Sequence, residues 1–345
     1  MAGIYVHFPF CSSKCIYCDF YSRAGLDPAG YAETLLREAS ARRDYLKGVP
    51  PATLYFGGGT PSAMPRGELL KVADGLRKIF DLSALDEFTV EVNPDDVSPG
   101  LIGELRQAGV SRVSMGVQSF CDRHLRWMKR RHTADEAVEA FSALRQAGFA
   151  NLSFDLIFGF QGLTDEEWEF SIGRAAALRP EHISCYQMMG RWASDDEESC
   201  RRQYLRLQER LASAGYRHYE ISNWALPGCE SRHNSAYWKR APYLGLGASA
   251  HSFDGERCRS WNAPDLALYM KGEGCGGETL SDAEVREERI MLGLRTADGV
   301  DAALLENNAA CIRMVQAGNL AVEGGRVRIP QEKFFISDAI VSELF

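Results

Sequence analysis

The sequence has no long apolar run and no feature of a secretory leader. No stretch of about 18 consecutive apolar residues occurs in the 345-residue chain, so the sequence predicts no transmembrane helix. A basic segment followed by an apolar core is also missing, because Pro9 and Cys11 interrupt the early apolar stretch. We therefore expect a cytoplasmic protein, in which the ten cysteines favour metal ligation over disulfides.

The composition also lacks an excess of positive charge. Lys and Arg number 39 against 47 Asp and Glu, which gives a formal net charge of −8. A face that binds nucleic acid needs clustered Lys and Arg, so this balance argues against nucleic acid as a partner. No repeat, low-complexity tract or basic amphipathic helix occurs, and we expect membrane contact only through a partner protein.

Strand-type runs alternate with helical patterns over the first 214 residues, which predicts an α/β fold. The strand-type runs cover 3–7, 53–56, 88–92, 112–116, 151–158 and 182–186. The helical patterns cover 28–46, 66–80, 99–108, 134–147, 165–178 and 197–214. Six βα units predict a partial, TIM-like (β/α)6 barrel with a parallel sheet.

Capping signals support several of these helices. Ser98 precedes Pro99 at a helix start, and Thr133 with Glu136 has the spacing of a capping box. Glycines that follow the last helical residue indicate helix ends at Gly109, Gly148 and Gly215.

The pattern changes after the sixth predicted strand. Residues 216–275 carry aromatics, Gly and Pro with few helical signals. Helical patterns return over 284–294, 301–308 and 311–317, before a strand at 326–329 and a last helix over 335–344. We predict a barrel over 1–190, a linker and motif region over 191–275, and a small, winged-helix-like α+β extension over 276–345.

Three closely spaced cysteines follow the first predicted strand. Cys11, Cys15 and Cys18 have the spacing C-x3-C-x2-C, which is one ligand short of a closed four-ligand metal site. Three thiolates can hold a [4Fe–4S] cube by three irons and leave the fourth open to a chelating ligand. Core cysteines at helical spacing are the alternative, which Pro9 and the polar residues at 12–14 disfavour.

Other polar residues follow later strands and converge on the same end of the predicted barrel. They are Gly57 to Pro61 after the second strand, Glu91 and Asn93 at the third, Gln118 and Ser119 after the fourth, and Asp155 in the fifth. Sites in such barrels lie at the carboxyl ends of the strands, so these residues predict one site together with the cysteines.

The cysteine loop resembles the cluster motif of radical S-adenosylmethionine (radical SAM) proteins, with Tyr17 as the aromatic residue before the last cysteine. Two motifs flank the cysteines: Y-x-H-x-P-F-C, which begins at Tyr5, and C-D-F, which ends at Phe20. They resemble the motifs of the oxygen-independent coproporphyrinogen III oxidase-like family and of its HemW-type heme chaperone subgroup. This resemblance extends along nearly the whole chain. It implies a [4Fe–4S] cluster, S-adenosylmethionine and heme as cofactors, and an electron donor and heme-acceptor proteins as partners.

The resemblance also implies a set of S-adenosylmethionine-binding residues. They are Gly58, Gly59, Thr60, Glu91, Gln118, Arg130 and Asp155. Glycines let the backbone approach a ligand closely, and a zwitterion with a ribose suits carboxylates and a guanidinium. Tyr5 and Tyr17 would pack against the sulfonium or the adenine. From the residues alone, a tight βα turn, rim ion pairs and core tyrosines are the alternatives.

A second group of residues matches the H-N-x-x-Y-W heme motif of the HemW-type subgroup. It comprises His233, Asn234, Tyr237 and Trp238. An imidazole is a good axial heme ligand and aromatic faces suit a porphyrin plane. Without the resemblance, a hydrogen-bonded core histidine beside an aromatic stripe is the favoured interpretation.

Two departures from the family bear on the choice of function. True coproporphyrinogen dehydrogenases carry a further cysteine where this chain has Phe20, which favours the heme chaperone. The segment after the sixth strand is shortened, since Met188 to Trp192 runs almost directly into the acidic residues 195–198. A coproporphyrinogen III oxidase that decarboxylates propionate side chains, and a radical SAM enzyme on another substrate, are the alternatives.

Overall fold

The structure of the protein is a computed structural model that describes residues 1–345. In chain order the strands are β1 (Ala2–Phe8), β2 (Phe10–Cys11), β3 (Arg23–Ala24), β4 (Pro51–Gly58), β5 (Glu87–Val92), β6 (Arg112–Gln118), β7 (Asn151–Phe158), β8 (His182–Gln187), β9 (Arg217–Glu220), β10 (Asn223–Ala225), β11 (Tyr243–Leu246), β12 (His251–Phe253), β13 (Cys258–Trp261), β14 (Gly276–Thr279), β15 (Val300–Asp301), β16 (Ala321–Glu323) and β17 (Arg326–Arg328).

The α-helices are α1 (Tyr31–Ala41), α2 (Glu68–Ile79), α3 (Pro99–Gln107), α4 (Asp122–Trp127), α5 (Ala134–Gln146), α6 (Asp165–Leu178), α7 (Glu197–Ser213), α8 (Arg232–Trp238), α9 (Leu266–Lys271), α10 (Asp282–Leu294), α11 (Ala309–Gln316) and α12 (Ser337–Ser342). Short 3-10 helices cover Pro61–Ala63, Pro94–Asp96, Gly190–Trp192, Ala302–Leu305 and Gln331–Ile336. None of the helices is long and apolar enough to cross a bilayer.

The alternation of strands and helices confirms the α/β prediction. All six predicted strands and all six predicted helices of the first 214 residues are present. The Ser98 side chain accepts a hydrogen bond from the Leu101 amide, and Thr133 with Glu136 forms the predicted capping box. These side chains satisfy amides that have no partner within their helices, which fixes where α3 and α5 begin.

The first of two compact units carries the cysteine loop. It comprises Met1–Ile157, Leu178–Glu181 and Ala241–Thr279. Its sheet has the order β14-β13-β12-β11-β1-β4-β5-β6-β7, and the pairs from β11 through β1 to β7 are parallel. Its core includes the fully buried Ile4, Val6, Leu54 and Phe56 on β1 and β4. Each such side chain contributes about 1.5–3 kcal/mol through burial.

The second unit carries the predicted heme motif. It comprises Phe158–Ala177, His182–Arg240 and Leu280–Phe345. Strands β8, β10 and β9 form an antiparallel set, and β15, β17 and β16 form a separate three-stranded sheet. Trp168 and Trp224 are almost fully buried, and the indole of Trp224 stacks on the His218 imidazole with ring centroids 4.1 Å apart.

Two predictions of secondary structure were wrong. Residues 216–275, which carry few helical signals, include α8 and α9 as well as strands β9 to β13. The helix predicted over 301–308 is a two-residue strand followed by a 3-10 turn. The Asp301 side chain accepts from the Ala303 amide, and Asn308 accepts from the Cys311 amide as the N-cap of α11. Both side chains satisfy helix-start amides, so a continuous helix cannot run through them.

Candidate functional site

Each of the three cysteines of the loop after β1 has a side-chain hydrogen-bond partner at sulfur. Cys11 ends β2, while Cys15 and Cys18 lie in the loop that leads to β3. The three contacts are Cys11 Sγ to Thr60 Oγ1 at 3.4 Å, Cys15 Sγ to Arg130 Nη1 at 3.5 Å and Cys18 Sγ to Ser22 Oγ at 3.7 Å. Thiolate ligands accept hydrogen bonds of this kind, so the donor set fits a metal cluster held by three sulfurs.

The loop is folded back on itself by Lys14. Its ammonium donates to the Phe20 carbonyl at 3.0 Å and to the Ser22 hydroxyl at 3.1 Å. The ring of Phe20 itself projects outward and is 69% exposed. Tyr17 points inward instead, and burial of its hydroxyl raises its pKa. The loop therefore presents Tyr17 inward with the cysteines and leaves Phe20 in solvent.

The glycine turn after β4 lies directly against β1 and the cysteine loop. A Cβ on Gly59 would stand 2.7 Å from the Phe8 carbonyl oxygen and 3.1 Å from the Cys11 sulfur. A Cβ on Gly58, whose φ is +110°, would stand 2.5 Å from the His7 imidazole. The close approach of the two backbones therefore requires glycine at both positions.

The polar residues on β1, β4, β5, β6 and β7 share one face of the sheet because their registers align. Tyr5 pairs with Tyr55, Glu91 pairs with Ser114, and Gly116 pairs with Asp155. Residues two apart on a strand point to the same side, so the interstrand register brings these side chains together. The structure thus groups Tyr5, Glu91 and Asp155, as the sequence predicts.

Glu91 is a half-buried carboxylate that is held by two donors. The Tyr55 hydroxyl donates to Oε1 at 2.7 Å, and the Gly58 amide donates to Oε2 at 3.1 Å. Burial and the negative charge of Asp155 together raise the pKa of Glu91 to about 7, and the hydrogen bonds from Tyr55 and the Gly58 amide oppose the shift. Glu91 therefore exchanges its proton near neutral pH, and a bound cation would favour its charged form.

Gln118 is turned toward the site by an irregularity at the end of β6. The pairing register shifts between Gly116 and Gln118, which is a β-bulge. Gln118 itself is buried and has a φ of +68°. Such a backbone conformation is costly for a residue with a side chain, and residues that adopt it cluster at active and ligand-binding sites.

The structure separates the roles of the adjacent Arg130 and Arg131. Arg130 donates through Nη2 to the Gly116 carbonyl and to Asn93 Oδ1, both at 2.7 Å, in addition to its contact with Cys15. Arg131 lies outside and pairs with Asp95 and Asp96. Arg130 is therefore the arginine of the cysteine site, and Arg131 forms an ordinary rim ion pair.

Three further residues of this site carry no role in the sequence-based prediction. Tyr55 contacts Glu91 and Ser22 contacts Cys18, as described above. The third residue is His7, whose imidazole contacts one partner at each nitrogen. Its Nδ1 is 3.0 Å from the Tyr5 hydroxyl, and its Nε2 is 2.8 Å from the Tyr21 carbonyl, to which it can only donate. Burial lowers the pKa of His7 to about 4, so it stays neutral. The i, i+2 spacing of Tyr5 and His7 on β1 was the available signal.

The predicted heme motif lies on α8, in the second unit. Ser231 caps the helix by accepting from the Asn234 amide at 3.4 Å. The His233 imidazole is 1% exposed, and its Nε2 is 2.8 Å from the Tyr237 hydroxyl one turn later. Asn234 and Tyr237 are half-buried. The motif residues are thus on one short helix, with the imidazole enclosed.

The indole of Trp238 is covered by a cation. The Arg295 guanidinium lies 4.7 Å from the ring centroid, and Arg295 also forms an ion pair with the fully buried Glu220. The indole nitrogen of Trp238 is buried and has no hydrogen-bond partner. An unpartnered buried donor of this kind is costly.

Comparison with known proteins identifies the family of this chain. Residues 5–174 match the model of the radical SAM superfamily. A relative from Lactococcus lactis, heme chaperone HemW, is 34% identical over 330 residues, which cover 89% of this chain and 85% of the relative. Heme chaperone HemW from Escherichia coli is 33% identical over 286 residues, which cover 78% of this chain and 76% of that protein.

A solved structure shares the fold over almost the whole chain. Coproporphyrinogen III oxidase (HemN) from Escherichia coli, described as a radical SAM enzyme, superposes with a TM-score of 0.83 over 99% of this chain and 89% of its own, at 21% identity. The chain belongs to the radical SAM superfamily and, within it, to the family of its HemW relatives.

Proposed function

We propose that this protein is a heme chaperone of the cytoplasm that binds a [4Fe–4S] cluster, S-adenosylmethionine and heme, and delivers heme to acceptor proteins. The observation that carries the proposal is the similarity, over most of the chain, to relatives that are themselves named heme chaperones. The cluster requires an electron donor as a second partner.

Cys11, Cys15 and Cys18 would hold the cluster. The three side-chain partners at their sulfurs support this assignment, because they stabilise thiolates without occupying a fourth ligand position. When bound, the cluster supplies one iron with an open position for a chelating ligand. The chain's own contribution is to hold the three sulfurs and to exclude a fourth protein ligand.

The face formed by Glu91 and Asp155 suits a cationic ligand such as S-adenosylmethionine. Glu91 would lose its proton when the cation binds, since the positive charge lowers its pKa. Tyr5 and Tyr17 would pack against the sulfonium or the adenine, and the remaining contacts would come from Gly58, Gly59, Thr60, Gln118 and Arg130.

Heme would bind at α8, where His233 would hold its iron. The Nε2 atom is hydrogen-bonded to the Tyr237 hydroxyl, so an iron at Nε2 would replace this hydrogen bond. Tyr237 and Trp238 lie at the end of the same helix and would supply the aromatic faces for the porphyrin. Asn234 lies on the same helix beside His233. A ligand held in competition with Tyr237 can be released, which suits delivery.

Oxygen-independent coproporphyrinogen III oxidase is the second candidate, because the fold matches that enzyme's structure. Phe20, at the position of that enzyme's further cysteine, argues against it. A decarboxylation assay of coproporphyrinogen III, run with reductant and S-adenosylmethionine beside a heme titration, tests the two. A chaperone binds heme and leaves the porphyrinogen intact, whereas turnover without a spectral response to heme would establish the oxidase.

A further inference from the structure

The amide side chain of Asn93 connects two of the three cysteines. Asn93 directly follows β5, and its Oδ1 accepts from Arg130 Nη2 at 2.7 Å. Its Nδ2 donates to Thr60 Oγ1 at 3.2 Å. Thr60 and Arg130 are the side chains that contact the sulfurs of Cys11 and Cys15. A continuous path of hydrogen bonds therefore runs from one sulfur to the other through a single amide.

The direction of every hydrogen bond in this path is fixed when the Cys11 and Cys15 sulfurs are thiolate ligands of the cluster, because a thiolate can only accept. A guanidinium only donates, so the oxygen of the amide must face Arg130 and the nitrogen must face Thr60. An amide nitrogen also only donates, so the Thr60 hydroxyl accepts on that side and keeps its own proton. The next partner of that hydroxyl is the Cys11 sulfur. Asn93 therefore leaves the Thr60 proton free for the Cys11 sulfur and holds the Arg130 guanidinium in place toward the Cys15 sulfur.

We propose that Asn93 is a positioning residue, which orients the Thr60 hydroxyl and the Arg130 guanidinium toward Cys11 and Cys15 and thereby sets the reduction potential of the cluster. The inference rests on the proposed cluster at these cysteines. Hydrogen bonds to the sulfur ligands stabilise the reduced, more negative cluster and raise its potential. Loss of these donors lowers the potential.

A role in local folding alone does not account for these contacts. Asn93 precedes the 3-10 turn Pro94–Asp96, but its side chain makes no capping hydrogen bond to that turn. Its backbone amide is held separately, by donation to the Ser62 hydroxyl at 3.2 Å. Both polar atoms of the side chain are directed at the partners of the cysteines, so a substitution that keeps the turn still alters those partners.

The test uses the full chain with its cluster reconstituted anaerobically, and it measures the midpoint potential by titration followed by electron paramagnetic resonance. Asn93→Asp keeps the acceptor for Arg130 but loses the donor to Thr60, so the Thr60 hydroxyl turns toward the carboxylate and leaves Cys11. We expect a more negative potential with an unchanged iron count. Gln107→Glu, which adds the same charge at an exposed position of α3, is the control and leaves the potential unchanged.

A double-mutant cycle with Thr60→Val separates two effects on the potential, namely the loss of the Thr60 orientation and the charge added by Asn93→Asp. If Asn93 acts through Thr60, then Thr60→Val lowers the potential in the wild-type protein and has little further effect in Asn93→Asp. Additive shifts in the double mutant would overturn the proposal, as would a wild-type potential in Asn93→Leu, which removes both contacts.

The iron count separates failure of this inference from failure of the proposed function. A wild-type protein that takes up no cluster contradicts the proposed function, whereas loaded variants with unchanged potentials contradict only the role of Asn93. If Asn93→Leu does not fold, then the double-mutant cycle of Asn93→Asp with Thr60→Val decides the result.

Discussion

The Tyr55 hydroxyl donates to Glu91 Oε1 over 2.7 Å, between two strands that are neighbours in the sheet. This hydrogen bond stabilises the carboxylate form of a side chain whose burial favours the neutral form. Tyr55 also lies beside Tyr5, with ring centroids 6.0 Å apart. One tyrosine thus controls the charge of the residue that we assign to a cationic ligand.

Replacing Tyr55 by Phe should raise the pKa of Glu91 above about 7. The hydroxyl stabilises the charged form, so its removal shifts the equilibrium toward the protonated acid. We expect weaker binding of S-adenosylmethionine at pH 7, with the affinity recovered at higher pH. Calorimetric titration at several pH values measures this, and Tyr45→Phe, on the segment after α1, is the control. A pH dependence identical to that of the wild type would contradict the assignment.

Glu91 should also make the stability of the cofactor-free protein depend on pH. Its pKa is near 7 in the folded state and 4.5 in the reference state, so folding favours the protonated form. The stabilisation is complete below pH 4.5 and is lost as the pH rises through about 7. Glu91→Gln should flatten this part of the curve in urea unfolding, and the exposed Glu273→Gln should not. An unchanged slope in Glu91→Gln means that the carboxylate is not perturbed.

The cysteine assignment predicts a selective loss of iron. Anaerobic reconstitution should give about four irons per chain, as expected for a cubane cluster. Replacing Cys11, Cys15 and Cys18 together by Ala should abolish the uptake. Cys258→Ser with Cys275→Ser, two exposed cysteines of the same unit, should leave the iron count unchanged. Retention of full iron content in the triple mutant would place the cluster elsewhere.

The glycine turn predicts different effects at its two positions. Gly58→Val should weaken the binding of S-adenosylmethionine, and its side chain would also collide with the His7 imidazole. Gly59→Ala should reduce the iron count, because its Cβ would press on the Cys11 sulfur and on the backbone of β1 and β2. Gly103→Ala, in α3 with open space around it, is the control and should fold at least as well as the wild type. Equal iron counts in Gly58→Val, Gly59→Ala and Gly103→Ala would argue against close packing of the glycine turn on the cysteine loop.

Tyr237→Phe should strengthen heme binding. The hydroxyl competes for His233 Nε2, so its removal frees that atom for iron. A net hydrogen bond of about 0.5–1.5 kcal/mol corresponds to a gain of roughly two- to tenfold in affinity. Titration followed by the absorption spectrum measures the effect. An affinity that falls instead would mean that the hydroxyl contacts heme directly.

The sequence predicts the strands of the first unit, the cysteine loop and the polar ends of the strands, because these depend on local periodicity and spacing. The contact between Tyr55 and Glu91 depends on the register between β4 and β5, which no local pattern encodes. The sequence also fails to predict α8, a seven-residue helix with a polar, aromatic composition. That helix is stabilised by the Ser231 cap and by burial of His233, and burial is a property of the folded chain.

The measurement that tests the central claim most directly is a heme titration of wild type and His233→Ala, both with the cluster loaded, followed by transfer to a heme-free acceptor protein. We predict that wild type binds heme and passes it on, while His233→Ala shows a changed spectrum and weaker binding with an unchanged iron count. A wild-type protein that gives no spectral response to heme, and that instead decarboxylates coproporphyrinogen III with turnover, would contradict the function proposed here.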